Sequence, residues 1–388
     1  MEVKMKRILI LALVILTAAS AFAGAKQEAG GEKSVTLQFA TAGDTNMVEF
    51  FGNLVGKAFT EKYPHIKVNV VGTGPGDDGS RTIYTKWKAQ LDAKRAAWDI
   101  DAGCVNESIM ADMIKDKVIV PYVPEISNAR FVNTPASEYA LGTPVKGYVV
   151  PLFKSQVVLA YNPAKIPNPP KSMNELETWI KANPNRFGYN GVTGGMSGVG
   201  FTAGWLYAKT GDYRTIAVTG PYNPANTSTW PGIIKVLKDL PVIITQGNAG
   251  TLDMLNRGEI DIGPVWVDML LLWKSEGRMN PNIRMLLPEP GLPGQPMYLV
   301  VGTNAANLAA AKLFCDFLAD PQIQAKFVVD AYGWYPGVDS VEVFKYCSEE
   351  SKRKLFTEVT ADELAKKGLA LPLSDYMKDM QRIYAEVR

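Results

Sequence analysis

The sequence is poor in the residues on which most hydrolytic and metal chemistry rests. It holds one histidine and three cysteines in 388 residues. A single imidazole removes most routes to a Ser-His-Asp or Cys-His nucleophile and to a zinc centre. His65 follows Tyr63 and Pro64, in a turn where a solvent-facing position is expected. Cys104, Cys315 and Cys347 are spaced for no metal motif. An oxidising compartment would allow one disulfide with one thiol left over. Cys315, however, falls among Leu313, Phe314, Phe317 and Leu318, the helical setting of a buried free thiol. Net charge is also scarce: 41 Lys and Arg against 39 Asp and Glu leave +2. That balance argues against nucleic acid or an anionic membrane as the main partner. Downstream of the first residues there is no apolar run of roughly 18, the length a membrane-spanning helix needs, so no membrane anchor is expected.

What is present begins at the first residue. Lys4, Lys6 and Arg7 precede an apolar run from Ile8 to Leu16, and small residues follow up to Ala21, Phe22 and Ala23. A basic start, a short apolar core and an A-x-A end describe a secretory signal peptide, cleaved near Ala23. No cysteine near the cut offers a lipid anchor. Residues 24–33 are Gly, Ala, Glu, Lys and Gln with nothing apolar larger than Ala, as in a flexible leader. The expected compartment is the periplasm, and the remaining chain is long enough for two cores.

The mature sequence alternates strand-like and helix-like patterns. Strands are expected at 35–39, 66–71 and 99–102, separated by a helix from Met47 to Phe59 and another holding Ile83, Trp87 and Leu91. The glycine-rich stretch 72–79 reads as a loop, and a helix is expected over 107–115. This order is that of an α/β unit with a mostly parallel sheet. Two apolar extended pieces, 149–153 and 156–161, are interrupted by Lys154 and Ser155. After a proline-rich loop, Ser172 and Glu175 predict a capping box for a helix over 173–182. A second α/β unit follows: a glycine loop 191–200, a helix 201–209, a strand 242–245, a helix 251–256 and a strand 260–265. A break at 285–291 precedes a strand 297–301, a helix 309–318 and one starting at Asp320 and Pro321. Helices are also expected at 340–355, 361–367 and 374–386.

Several of these segments together resemble the extracellular solute-binding proteins of bacterial ABC importers, which have the type II periplasmic binding-protein fold. They are residues 59–70 with the Tyr63-Pro64 step, Trp98 to Asp101, 156–162, 170–176, 255–263 with Gly258 and Glu259, the helix pair 311–324, and the turn 333–336. The resemblance covers nearly all of the mature chain. It implies two α/β lobes, each a mostly parallel sheet flanked by helices, joined by crossing hinge segments. The implied boundaries are 34–150 for lobe 1, 151–295 for lobe 2, 296–320 returning to lobe 1, and C-terminal helices 321–388 mainly on lobe 2. A small solute would be held between the lobes by hinge closure and delivered to ABC permease subunits by a monomeric, non-enzymatic protein without a cofactor. Polyamine, thiamine-like, sugar or polyol, and organic acid solutes are all compatible.

Ligands of open α/β sheets sit beyond the carboxyl ends of strands, and the loops there supply the candidates. Asp44, Thr45 and Asn46 follow the first strand and could equally be helix caps; Asn106 has the same ambiguity. Lys154, Ser155 and Gln156 fall at the crossover. Ser197, Gly198 and Val199 lie in the uncharged glycine loop, whose alternative is a tight turn with close backbone packing. Trp266 offers a flat surface for a sugar face or a cation, with Asp268 beside it; core and cap are their alternatives. Trp334 stands in the turn before Pro336. Iron is disfavoured, because no Tyr-Tyr pair and no metal-spaced cluster occurs. The rival readings are a hydrolase using paired carboxylates such as Asp99/Asp101 or Glu259/Asp261, and a ligand-sensing subunit of a receptor.

Overall fold

A computed structural model describes residues 34–218 and 220–388; the expected signal peptide and leader fall outside the described residues. Within Thr36–Arg388, one compact unit, a nine-stranded sheet organises the chain. The first strand, Val35–Thr41, buries its inward residues and pairs in parallel with Ala102–Asn106 (Phe39 opposite Ala102, Thr41 opposite Cys104). Ile66–Gly72 lies on its other side. Each of these strands leads into a helix, which gives the α/β order expected from the alternating patterns.

Two long strands tie the sheet together. Val150–Tyr161 is continuous, where a break at Lys154 and Ser155 was expected. Two polar residues do not end a strand that keeps a ladder partner on either side of them. Its first part, to Gln156, pairs antiparallel with Leu292–Val301; from Val157 on it pairs with Ile262–Trp266 and, near its end, with Arg284–Leu286. The strand therefore changes partners between Gln156 and Val157. Leu292–Val301 in turn pairs antiparallel with Ala102–Asn106. Sheet direction is thus parallel where helices connect strands and antiparallel where the two crossing strands run through.

One core cluster gathers Ile83, Trp87, Trp98, Met110 and Val149 with Tyr298 and Val300 of the second crossing strand. Another gathers Val199, Leu206, Trp230 and Ile234 with Tyr376, Met380 and Ile383. The C-terminal helix Ser374–Glu386 brings the last three into that second cluster. Large buried aromatics such as Trp87 and Trp230 each bury more apolar surface than the aliphatic side chains around them.

Several boundaries differ from the sequence reading. The third strand is Ala102–Asn106, not 99–102: Asp99 pairs with Arg95 on the surface and Asp101 accepts the backbone N–H of Gln38 and of Asn307, so the acidic pair closes a corner instead of forming a strand. The glycine stretch shortens because the helix Gly76–Asp92 starts inside it, and the second glycine loop shortens because Met196–Thr210 starts at Met196. The expected break at 285–291 holds the short strand Arg284–Leu286. The segment 340–355 divides into Ser340–Phe344 and Glu349–Leu355, each capped by its own side chain, Asp339 and Ser348. Ser172 caps Met173–Ala182 as expected, but the Glu175 carboxylate reaches the N–H of Lys171, one residue before the cap. Cys104, Cys315 and Cys347 are buried free thiols.

Candidate functional site

Between strand ends and helix starts lies a cavity of about 80 Å³. A single water needs at least about 10–15 Å³ of such space, so this is room for one small solute of a few heavy atoms. Its walls come from strand–helix junctions and the crossing strands. Asp44 and Asn46 follow the first strand, Asn106 ends the third, and Trp266 and Asp268 lie where Ile262–Trp266 passes into the helix Val267–Ser275. Ser155 and Gln295 are directly opposite one another on the crossing strands, as are Phe153 and Met297. Residues opposite in an antiparallel pair point to one face, which puts all four in the cavity wall.

Several polar groups here are not consumed by local structure. Asp44 is the N-cap of Thr45–Glu49 yet makes no capping hydrogen bond. Burial raises the Asp44 pKa. Asp268 is buried more deeply, and its pKa is pushed up to about 6. Burial is the main cause and the charge of Asp44 adds to it; hydrogen bonds from Ser155 and from the N–H groups of Asp268 and Met269 oppose it. Asn106 is 3 % and Gln295 7 % exposed, and Asn106 Nδ2 and Gln295 Oε1 have no partner among the described residues. A buried amide atom left unpaired costs on the order of 1–3 kcal/mol, which a ligand's hydrogen bond would offset. The remaining wall is apolar: Met47, Pro75, Phe153, Met196, Met269 and Met297. Among the described residues no Lys, Arg or His lines this cavity.

The structure therefore brings Asp44, Asn46, Asn106, Ser155, Trp266 and Asp268 together. It places the other candidates elsewhere. Thr45 is exposed on the first turn of its helix. Lys154 and Gln156 alternate with Ser155 and face the opposite side of the strand; Gln156 Nε2 donates to the carbonyls of Leu292 (2.5 Å) and Val157 (3.0 Å). Ser197, Gly198 and Val199 are buried within the first turn of Met196–Thr210. Ser197 Oγ accepts from Asn190 Nδ2, and a Cβ on Gly198 would meet the carbonyl of Gly191 at 1.8 Å. The close-packing alternative accounts for those three, and only Gly195 and Met196 of that loop reach the cavity. Trp334 is fully buried behind Phe153, with ring centroids 4.2 Å apart in a stacked arrangement.

Some wall residues went unnoticed in the sequence. Asn248 stands in the first turn of Gly247–Arg257, and its Oδ1 accepts the N–H of Trp266 (2.8 Å), holding that residue at the cavity. The rule that singled out Asp44 and Asn106 would have found it. Gln295 and Met297 carried no local signal, because their place depends on register with Ser155 and Phe153.

The paired carboxylates of the hydrolase reading are engaged elsewhere. Asp261 accepts from Arg186 at 2.5 and 2.8 Å, and Glu259 accepts from Arg257 at 2.6 Å. Among the described residues no group of three or more His, Cys, Asp or Glu could hold a metal ion, and no helix is long and apolar enough to cross a membrane.

A cavity at the meeting of strand ends and crossing strands is where open α/β sheets hold a small solute. The profile of the bacterial extracellular solute-binding protein family matches residues 55–357, and the chain belongs to that family. A comparison with curated proteins by sequence finds no match. Among solved structures the chain is similar to the PotD lipoprotein of Treponema pallidum (TM-score 0.69, 13 % identity, 91 % of this chain and 99 % of that one). It is also similar to PotD, the spermidine/putrescine ABC transporter substrate-binding protein of Streptococcus pneumoniae (0.64, 15 %, 90 % and 100 %). Iron-bound HitA of Pseudomonas aeruginosa is a third (0.64, 16 %, 91 % and 99 %). At these identities the likeness establishes the fold.

Proposed function

We propose that the chain captures a small organic cation, a short diamine, in the cavity walled by Asp44, Trp266 and Asp268. The observation that carries this reading is the charge of the wall: two carboxylates held above their usual pKa by burial, an indole, and no basic side chain. An ammonium would neutralise the Asp44–Asp268 repulsion and lie against the Trp266 face. Thioether and aromatic walls suit a methylene chain. An anionic solute would have no positively charged side chain to meet. The spermidine/putrescine name of a structural relative agrees with this chemistry.

The partner change between Gln156 and Val157 supports a hinge at the crossing strands. Residues 34–150 with 296–320 form one lobe, and 151–295 with most of 321–388 the other. Ligand contacts from both stabilise the closed form, which docks on an ABC-type permease. The protein acts as a monomer in the periplasm, after loss of residues 1–23, and performs no catalysis. Mass spectrometry of the solute released on denaturing the freshly purified protein tests the reading. An amine is expected; release of a sugar or a carboxylic acid would overturn it.

A further inference from the structure

A second, larger cavity of about 750 Å³ lies across the crossing strands from the first. Side chains alternate along a strand, so the face opposite Ser155 and Gln295 carries Lys154, Gln156 and Pro296. Lys154 is the one exposed residue within the buried run of Val150–Tyr161. Only two charged side chains line this cavity among the described residues, Lys154 and Glu107. Glu107 is 8 % exposed. Neither its carboxylate nor the Lys154 ammonium makes a hydrogen bond or an ion pair with a described residue. A buried carboxylate without a partner is costly and ordinarily acquires one. Burial pushes the Glu107 pKa up to about 8 against the attraction of Lys154. The two groups thus feel each other across the cavity without touching. Tyr139, Tyr213 and Phe356 give the same space an aromatic wall.

We propose that this cavity is a second solute site, taking a small zwitterion whose ammonium meets Glu107 and whose carboxylate meets Lys154. A zwitterion is the class that satisfies both groups at once and leaves no net charge buried. The two cavities share Ser155 and Gln295 in their walls but not their charged groups: Glu107 and Lys154 line only the larger, Asp44 and Asp268 only the smaller. Its walls include both crossing strands, so an occupant would contact the segment at which the sheet changes partners.

Isothermal calorimetry of the mature chain with ω-amino acids of increasing length tests the proposal. At least one is expected to bind. Its affinity should fall about tenfold or more in Glu107→Gln and in Lys154→Met, the worth of one charge-assisted hydrogen bond, and should be unchanged in Asp268→Asn. Ala365→Trp, on the exposed rim of the cavity, should block binding without touching either charge and serves if a charge variant fails to fold. Absence of binding by every zwitterion would overturn the proposal. So would binding that Asp268→Asn weakens while Glu107→Gln, Lys154→Met and Ala365→Trp do not. Diamine binding in Glu107→Gln is read separately: it should match the unsubstituted protein, and its absence from both would contradict the amine reading alone.

Discussion

The hydroxyl of Ser155 is donated to the carboxylate of Asp268, 113 residues further along the chain. Ser155 belongs to the strand that changes sheet partners one residue later, and Asp268 to the first turn of Val267–Ser275. The contact fixes the deepest carboxylate of the cavity to the segment proposed as hinge. It also favours the ionised form, against the burial that raises the Asp268 pKa to about 6.

Replacing Ser155 by Ala removes that donor. The Asp268 pKa should rise further, and affinity for a diamine at neutral pH should weaken by about 1–2 kcal/mol, roughly five- to thirtyfold. Calorimetry across a pH series measures both effects. An unchanged midpoint would show that the hydroxyl does not act on Asp268.

Amine affinity should depend on pH through the two carboxylates. A cation prefers them ionised, so binding should weaken as pH falls through about 6 and level off above it. The empty protein should behave in the opposite way. Both folded pKa values lie above the usual carboxylate value of 3.8, so this contribution to stability is full below 3.8 and is lost as pH rises, for Asp268 through about 6. Glu107, raised to about 8, extends the loss to higher pH. Melting curves of the empty protein and of Asp268→Asn, compared across pH, isolate the Asp268 share, which the variant should lack.

Trp334 should act through packing. Its ring stacks on Phe153 and lies 4.9 Å from Phe50 and 4.7 Å from Tyr332, centroid to centroid. Trp334→Ala should cost about 3–5 kcal/mol of stability. Trp334→Phe should keep most of the stability and the full solute affinity, measured by denaturant unfolding and calorimetry. Loss of affinity in the stable Phe variant would mean that the indole reaches the solute.

Element types and order were legible in the sequence because hydrophobic period and caps are local. Ser172, the helix Ala361–Lys367 and the C-terminal Ser374–Glu386 stand where those signals put them. The site was half legible. Strand-end residues such as Asp44, Asn106 and Asp268 follow from where α/β sheets bind ligands. Whether a residue near a strand end faces the cavity depends on register and on where the next helix begins, and no local pattern gave either. One residue of register sends Ser155 into the cavity and Lys154 and Gln156 away from it. A helix starting at Met196 takes Ser197, Gly198 and Val199 into its buried first turn. Trp334 was a candidate by its turn before Pro336; its burial against Phe153 was not legible because that partner is far away in sequence.

The charge selectivity of the cavity is the claim on which the account rests. Calorimetry of the mature protein with a diamine and with a dicarboxylate of equal length, repeated on Asp268→Asn, tests it most directly. The account predicts that the diamine binds and the dicarboxylate does not. It also predicts that Asp268→Asn weakens the diamine by about 2–5 kcal/mol, the usual cost of removing one partner of a buried charge pair. Tight binding of the dicarboxylate, or a diamine affinity indifferent to Asp268, would contradict it.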